Sequence, residues 1–432
     1  MQDFIAKAKK KVAQVELYQT SVTETPVRYE NNHLKGIETN SQRVTALRVV
    51  KDGKLGFATS TGTDLDQLLD MAIATAQFGR PWDIPLAGPA DLPQVELSHP
   101  STQVELNAMV EMGLKIIERL RRCHPQVLAS TDLSTVEKKT KLVNSQGFSA
   151  QYSKTLFSLL GFVELTQDKN MLTIFAGANT GKLEDQVEKT VNFLVENFEH
   201  GLNNVPIKSG EYTVIFSPQG LGDILRPLLA CANGKAVEKG FSPWKDKLGE
   251  QLFSQQVSLY DDATIPYAPA SCLFDGEGMA ANRTAIIQDG KVNSFILDMA
   301  TAQALGMKST GNGFRSPDDL PTPRNSNVVL DVATTQPIQE LVGSVEKGII
   351  IHSMMGAWAG NPYSGQVSGN VDLGFVIQDG KIKGRVKDCM MSVNTFDAFR
   401  DQIIAASNEK EWAWNMHLPH LKLENVSIST KS

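Results

Sequence analysis

Leu65, Leu68, Leu69, Ala72, Ile73 and Ala76 recur at helical spacing, so LDQLLDMAIATAQF predicts an amphipathic helix over 65–78. Thr63 is placed to cap it and Gly79 to end it. Just before it, the β-prone runs RVTALRVV (43–50) and LGFATS (55–60) flank Asp52-Gly53, a strong hairpin signal because glycine accepts the positive φ the turn needs. Asp289-Gly290 and Asp379-Gly380 repeat that signal after other apolar runs. Val104, Met109, Leu114, Ile117 and Leu120 predict a long helix around 103–122. Strand-like sequence follows, broken at Asn144–Gly147. A helix is expected over 183–200 up to Gly201, a buried strand over 212–217, and a short helix over about 337–347 ending at Gly348. Repeated hairpins imply antiparallel pairing. The expected class is therefore α+β, with antiparallel or mixed sheets and flanking helices, rather than a doubly wound parallel sheet.

Length changes this picture by implying more than one core: 432 residues call for two or three domains. The expected division is an N-terminal α+β domain over 1–205 and a β-rich C-terminal domain over 206–432. The Pro-rich stretch at about 80–102 would be a linker between two N-terminal subdomains. A net charge of -6 argues against a nucleic-acid-binding surface, which needs clustered Lys and Arg; Arg119-Arg121-Arg122 reads as a solvated helix end. No apolar run reaches membrane-spanning length, and the Lys-rich start MQDFIAKAKKKVAQ does not have the pattern of a secretory signal. Four scattered cysteines, with no C-x-x-C pair, suit a reducing compartment. The expected location is cytoplasmic.

The candidate chemistry gathers in two places. Ser217 to Cys231 reads as a loop entering an apolar helix. Further on, FDGEGMAANRTAIIQDGKVNSFILDMATAQALG (274–306) leads to Ser309–Arg315, then Pro321-Thr322-Pro323-Arg324 and Asn325–Val329. An Asp-Gly-Glu-Gly turn, the distal Arg283, an Asp-Gly hairpin, a Gly-Asn-Gly turn and a proline-led Ser-Asn strand, in that order, resemble the TldD/TldE (PmbA) family. That family is described both as modulators of DNA gyrase and as zinc metallopeptidases. In its TldD branch the helix carries His-Glu-x-x-x-His; here the six matching positions run from Arg226 and Pro227 to Cys231. A catalytic zinc needs imidazole ligands and a carboxylate to activate water. The TldD branch also has a Cys-Gly-Lys motif near its C-terminus, and the matching region, 411–429, has no cysteine. The resemblance is thus to the TldE/PmbA branch.

The resemblance implies a chain with no catalytic residues, metal ligands or cofactor of its own. It would be a homodimer in isolation and would pair with a TldD-like subunit that carries zinc. The substrate would be a small or unfolded peptide, with neither nucleic acid nor membrane as partner. The Gly- and Ser-rich loop Asn361–Asn370 resembles the segment lining the family's proteolytic chamber. Tyr363, Ser364 and Gly365, with His352 and Asn327, are candidate peptide-cleft residues. His352, in an apolar strand-like run, reads first as a core histidine and second as a cleft residue. His417 and His420 flank Pro419 and read as exposed tail residues, and Asp275 and Glu277 as acids at the tip of a tight turn. Two alternatives stay open: a stand-alone hydrolase with an unrecognised site, and a regulatory binding protein acting on a topoisomerase. No G-x-x-x-x-G-K-[ST] or G-x-S-x-G motif is present.

Overall fold

The computed structural model describes residues 1–167 and 170–430. All three Asp-Gly signals are hairpin turns. Asp52, Asp289 and Asp379 have φ near +50°, and the following glycines φ of 73°, 76° and 69°. Positive φ at both central residues matches the right-handed twist of the flanking strands, which pair as Lys51 with Lys54, Gln288 with Lys291 and Gln378 with Lys381.

The first sheet is antiparallel and seven-stranded. Its main path runs Lys54–Ser60, Asn40–Lys51, Gln14–Glu30, Leu128–Asn144, Ser149–Gln167 and Asn170–Thr180, with His33–Ile37 pairing beside Gln14–Glu30. The turn between Leu128–Asn144 and Ser149–Gln167 is closed by Asn144, whose Oδ1 accepts from the amides of Gln146 and Phe148. The helix Leu65–Ala76 forms as its periodicity predicts. Its cap is Asp64 rather than Thr63, because the Asp64 carboxylate accepts from the amides of Asp66 and Gln67. Helices Leu106–Arg121 and Gln186–Gly201 pack on the sheet farther along. The stretch 80–99 has almost no regular structure, yet buried Leu86, Ala87 and Leu97 tie it down.

The second sheet is twelve-stranded and mixed. Gly210–Phe216 pairs with Lys347–Met355 in parallel and with Met416–Thr430 antiparallel. Gln366–Gln378 and Cys389–Asn394 complete the circuit, so five strands close into a ring. Closure leaves no free edge in the ring. The helix expected over 337–347 is only Ile338–Gly343; Lys347 already starts the next strand. His417 and His420 are not tail residues. They lie inside the strand Met416–Thr430, where Trp412 stacks on His417 at 4.7 Å and burial pushes His420 down to about 4.

Two large cores follow. One surrounds the helix Pro218–Ala232, with Leu221, Ile224, Leu225, Leu228 and Cys231 against Phe216, Ile349 and Ile351. The other lies under Leu106–Arg121 and Gln186–Gly201 and runs on into Ile215, Ile350, Leu373 and Phe375 of the second sheet. Alternation along Lys347–Met355 thus sends Ile349 and Ile351 to one core and Ile350 to the other. The two halves of the chain share apolar packing as well as a connection.

Candidate functional site

The helix Pro218–Ala232 is the centre of the candidate site. Ser217 caps it, Oγ accepting from the Gly220 amide, and Pro218 supplies a first residue that needs no hydrogen-bond acceptor. Gly220 lets the first turn lie against the strand Lys347–Met355, since a Cβ there would stand 2.7 Å from the Ile351 carbonyl. Pro227 sits inside the helix and removes the amide that would bond the Asp223 carbonyl. The next carbonyl, that of Ile224, also accepts from the buried Thr395 hydroxyl at 2.9 Å, which ties this turn of the helix to a neighbouring segment.

The three positions of the degenerate motif do not form a ligand set. Arg226 is exposed, and its charge opposes the rise in pKa that burial causes in Asp223. Pro227 has no donor atom to offer a metal. Cys231 is fully buried, and burial pushes its thiol up to about 12, so the thiolate that binds zinc is not formed near neutral pH. Five residues apart, positions 226 and 231 are about 140° apart on a regular helix, which agrees with one facing solvent and the other the core. Among the described residues, no three His, Cys, Asp or Glu side chains gather as a metal site. The residues present do not fit zinc.

The expected cleft residues fall in three separate places. Tyr363 and Ser364 lie beside the central helix in the turn Pro362–Ser364, which Gly365 ends. Tyr363 packs on the helix core and lies 6.0 Å from the exposed Phe241 ring. Gly365 has φ +77°, and a Cβ there would meet the Phe396 ring at 2.6 Å, so glycine is required twice over. His352 faces the other core, edge-on to Phe193 at 5.2 Å and Phe375 at 5.7 Å. Among the described residues its Nδ1 has no partner, and burial lowers its pKa to about 3. Asn327 is buried elsewhere, donating to the Asp262 carbonyl and Ser271 Oγ and accepting from the Ala270 amide.

Asp275 and Glu277 do form a tight turn, but they are not at an exposed tip. Both are at most 2% exposed and face the first sheet. Sequence reasoning missed this because the pairs that cross between the halves are far apart in the chain: Arg48 and Glu277 are 229 positions apart, Glu16 and Arg315 299. A separate groove of about 480 Å³ lies away from the central helix, lined by Asp372, Arg385, Lys387 and Asp388 among others.

Comparisons with known proteins agree across nearly the whole length. An uncharacterized protein of Methanocaldococcus jannaschii is 23% identical over 91% of this chain and 92% of its own. A metalloprotease of Archaeoglobus fulgidus is 26% identical over 86% and 87%. The crystal structure of TldE from Thermococcus kodakarensis superposes with a TM-score of 0.92, at 22% identity, over 99% of both chains. Family models match in two places: the PmbA/TldA metallopeptidase C-terminal domain over residues 209–430, and domain 1 of the same family over 15–76. With its capped central helix inside the first of those matches, the chain belongs to the PmbA/TldA metallopeptidase family.

Proposed function

We propose that this chain is the TldE/PmbA-like, non-catalytic subunit of a TldD/TldE-type peptidase, and that the zinc, the general base and the attacking water belong to a TldD-like partner. The observation that carries this reading is the central helix, where an exposed arginine, a proline and a sealed protonated thiol stand at the motif positions. The substrate of the complex is a small or unfolded peptide. This chain contributes the surface beside the helix, where Tyr363, Ser364 and Gly365 meet it. Exposed apolar side chains support a partner on that side. Met355 (58% exposed) and Trp358 (68%) border the loop before the turn, and Phe241 (58%) lies beside Tyr363. An obligate interface would bury roughly 2,000 Å² or more.

Mixing experiments test the assignment. The chain alone should elute as a homodimer in light-scattering chromatography and exchange into a heterodimer with a TldD-type chain. Chelator-sensitive peptide hydrolysis should appear only when that partner is present. About one tightly held zinc per chain, or chelator-sensitive hydrolysis by the chain alone, would overturn the assignment in favour of a stand-alone hydrolase.

A further inference from the structure

The Asp-Gly-Glu-Gly turn plays no part in the function above, yet it lies in a cluster of buried ionisable side chains. Glu16 and Arg48 face each other across neighbouring strands of the first sheet, and Arg48 Nη2 donates to Glu16 Oε2 at 2.8 Å. From the C-terminal half, Arg315 lies over the Tyr18 ring at 4.0 Å and donates Nη2 to Glu16 Oε1 at 2.9 Å. Glu277 Oε1 stands 3.6 Å from Arg48 Nη1, too long for a hydrogen bond, while Oε2 accepts from the Met299 amide at 2.7 Å. Asp275 accepts from the amides of Glu277, Met279 and Gly313. All five side chains are at most 7% exposed. Phe148, Phe274 and Tyr152 pack edge to face alongside the seam, and Trp82 lies near Arg48.

Three carboxyl groups thus meet two guanidinium groups where water is excluded. An excess buried anion is costly, so one proton is needed for neutrality. We propose that this seam is a proton-linked latch between the two halves of the chain: it shuts with the Glu277 carboxyl protonated, and opening it releases that proton to solvent. The groups facing Glu277 are Asp275 on its own turn, Arg48 and Glu16 from the first sheet, Arg315 beyond them, and Asp298 at the head of the helix Met299–Ala304. Burial, then the Asp275 charge, raises Glu277 to about 8, against the opposing pull of Arg48; burial raises Asp275 to about 6.

The sign follows from the direction of the shift. The folded value lies above the unfolded one, about 4.3. Glu277 therefore stabilises the shut seam fully below the unfolded value, and that contribution is lost as pH rises towards 8. Asp275 adds to the loss only up to about pH 6. Lys154 also crosses the seam, its Nζ donating to the carbonyls of Ala268, Pro269 and Ser271. Burial lowers it to about 7, so it opposes the loss only above that pH. The latch reaches the candidate site through Met299. Its helix follows Ile296, whose carbonyl accepts from Gly234 at the end of the central helix.

Hydrogen-exchange mass spectrometry on the full chain tests this without any peptide substrate. After correction for intrinsic exchange rates, protection of amides 273–283 should fall about tenfold per pH unit from pH 6 to 7 in the unaltered protein. It should stay flat in Glu277→Gln. A flat profile in the unaltered protein, or an equal slope in the variant, overturns the proposal. Infrared spectroscopy of the unaltered protein decides the point even if the variant does not fold. A protonated-carboxyl band present at pH 7 and gone by pH 9 supports the latch, and its absence at pH 7 overturns it.

Discussion

Replacing His352 with leucine should make stability less sensitive to acid by about 2 kcal/mol between pH 7 and pH 5. The imidazole is sealed between Phe193 and Phe375, and burial first, then the charges of His420 and His200, holds its pKa down at about 3. In the unfolded chain a histidine titrates near 6.5. Because the folded value is the lower one, the contribution is present above the unfolded value and is lost as pH falls towards 3. From pH 7 to 5 only the unfolded chain takes up this proton, which gives the figure of about 2 kcal/mol. At pH 7 itself the substitution should be nearly neutral. Removing an orphaned Nδ1 gains roughly 1–3 kcal/mol, and losing two edge-on aromatic contacts costs roughly 0.5–1.5 kcal/mol each. His420 has the same sign in both proteins and drops out of the difference. Urea unfolding followed by circular dichroism at the two pH values measures it. Parallel pH dependence in wild type and variant would show that the imidazole is accessible and titrates normally, as a peptide-cleft histidine would.

Three further substitutions or probes bear on the seam and the central helix. The triple change Arg226→His, Pro227→Glu and Cys231→His should not create stoichiometric zinc binding, because position 231 points into the core; elemental analysis checks this. Arg315→Met should cost about 3–5 kcal/mol in urea unfolding, since it leaves Glu16 Oε1 buried without its partner. Cys231, Cys272 and Cys389, whose thiols burial raises to about 12, 12 and 11, should react with a thiol reagent only at the rate of unfolding, while the partly exposed Cys123 reacts first.

Much of the local structure was legible because its cause is local. The Asp-Gly turns need positive φ at two adjacent residues, and the helix Leu65–Ala76 follows from a repeat of apolar positions. The signature residues from Asp275 to Val329 and the altered helix motif were likewise visible in the chain alone, and they pointed to the family that the comparisons establish. Which face a side chain takes could not be read there. His352 lies in an apolar strand whose two sides are both buried, so alternation tells the faces apart without saying which covers what. His420 reads as a tail residue in the sequence because segments that pair with its strand, Gly210–Phe216 among them, lie far from it in the chain. Asp275 and Glu277 read as exposed acids in a glycine turn, since nothing nearby in the sequence neutralises them; the guanidinium that faces Glu277, that of Arg48, belongs to the first sheet and arrives only when the two halves of the chain close on each other. The sequence by itself determined turns, periodicity and family. The tertiary structure alone decided burial, and with it the shifts of His352, Glu277 and Cys231, because desolvation depends on what distant segments cover.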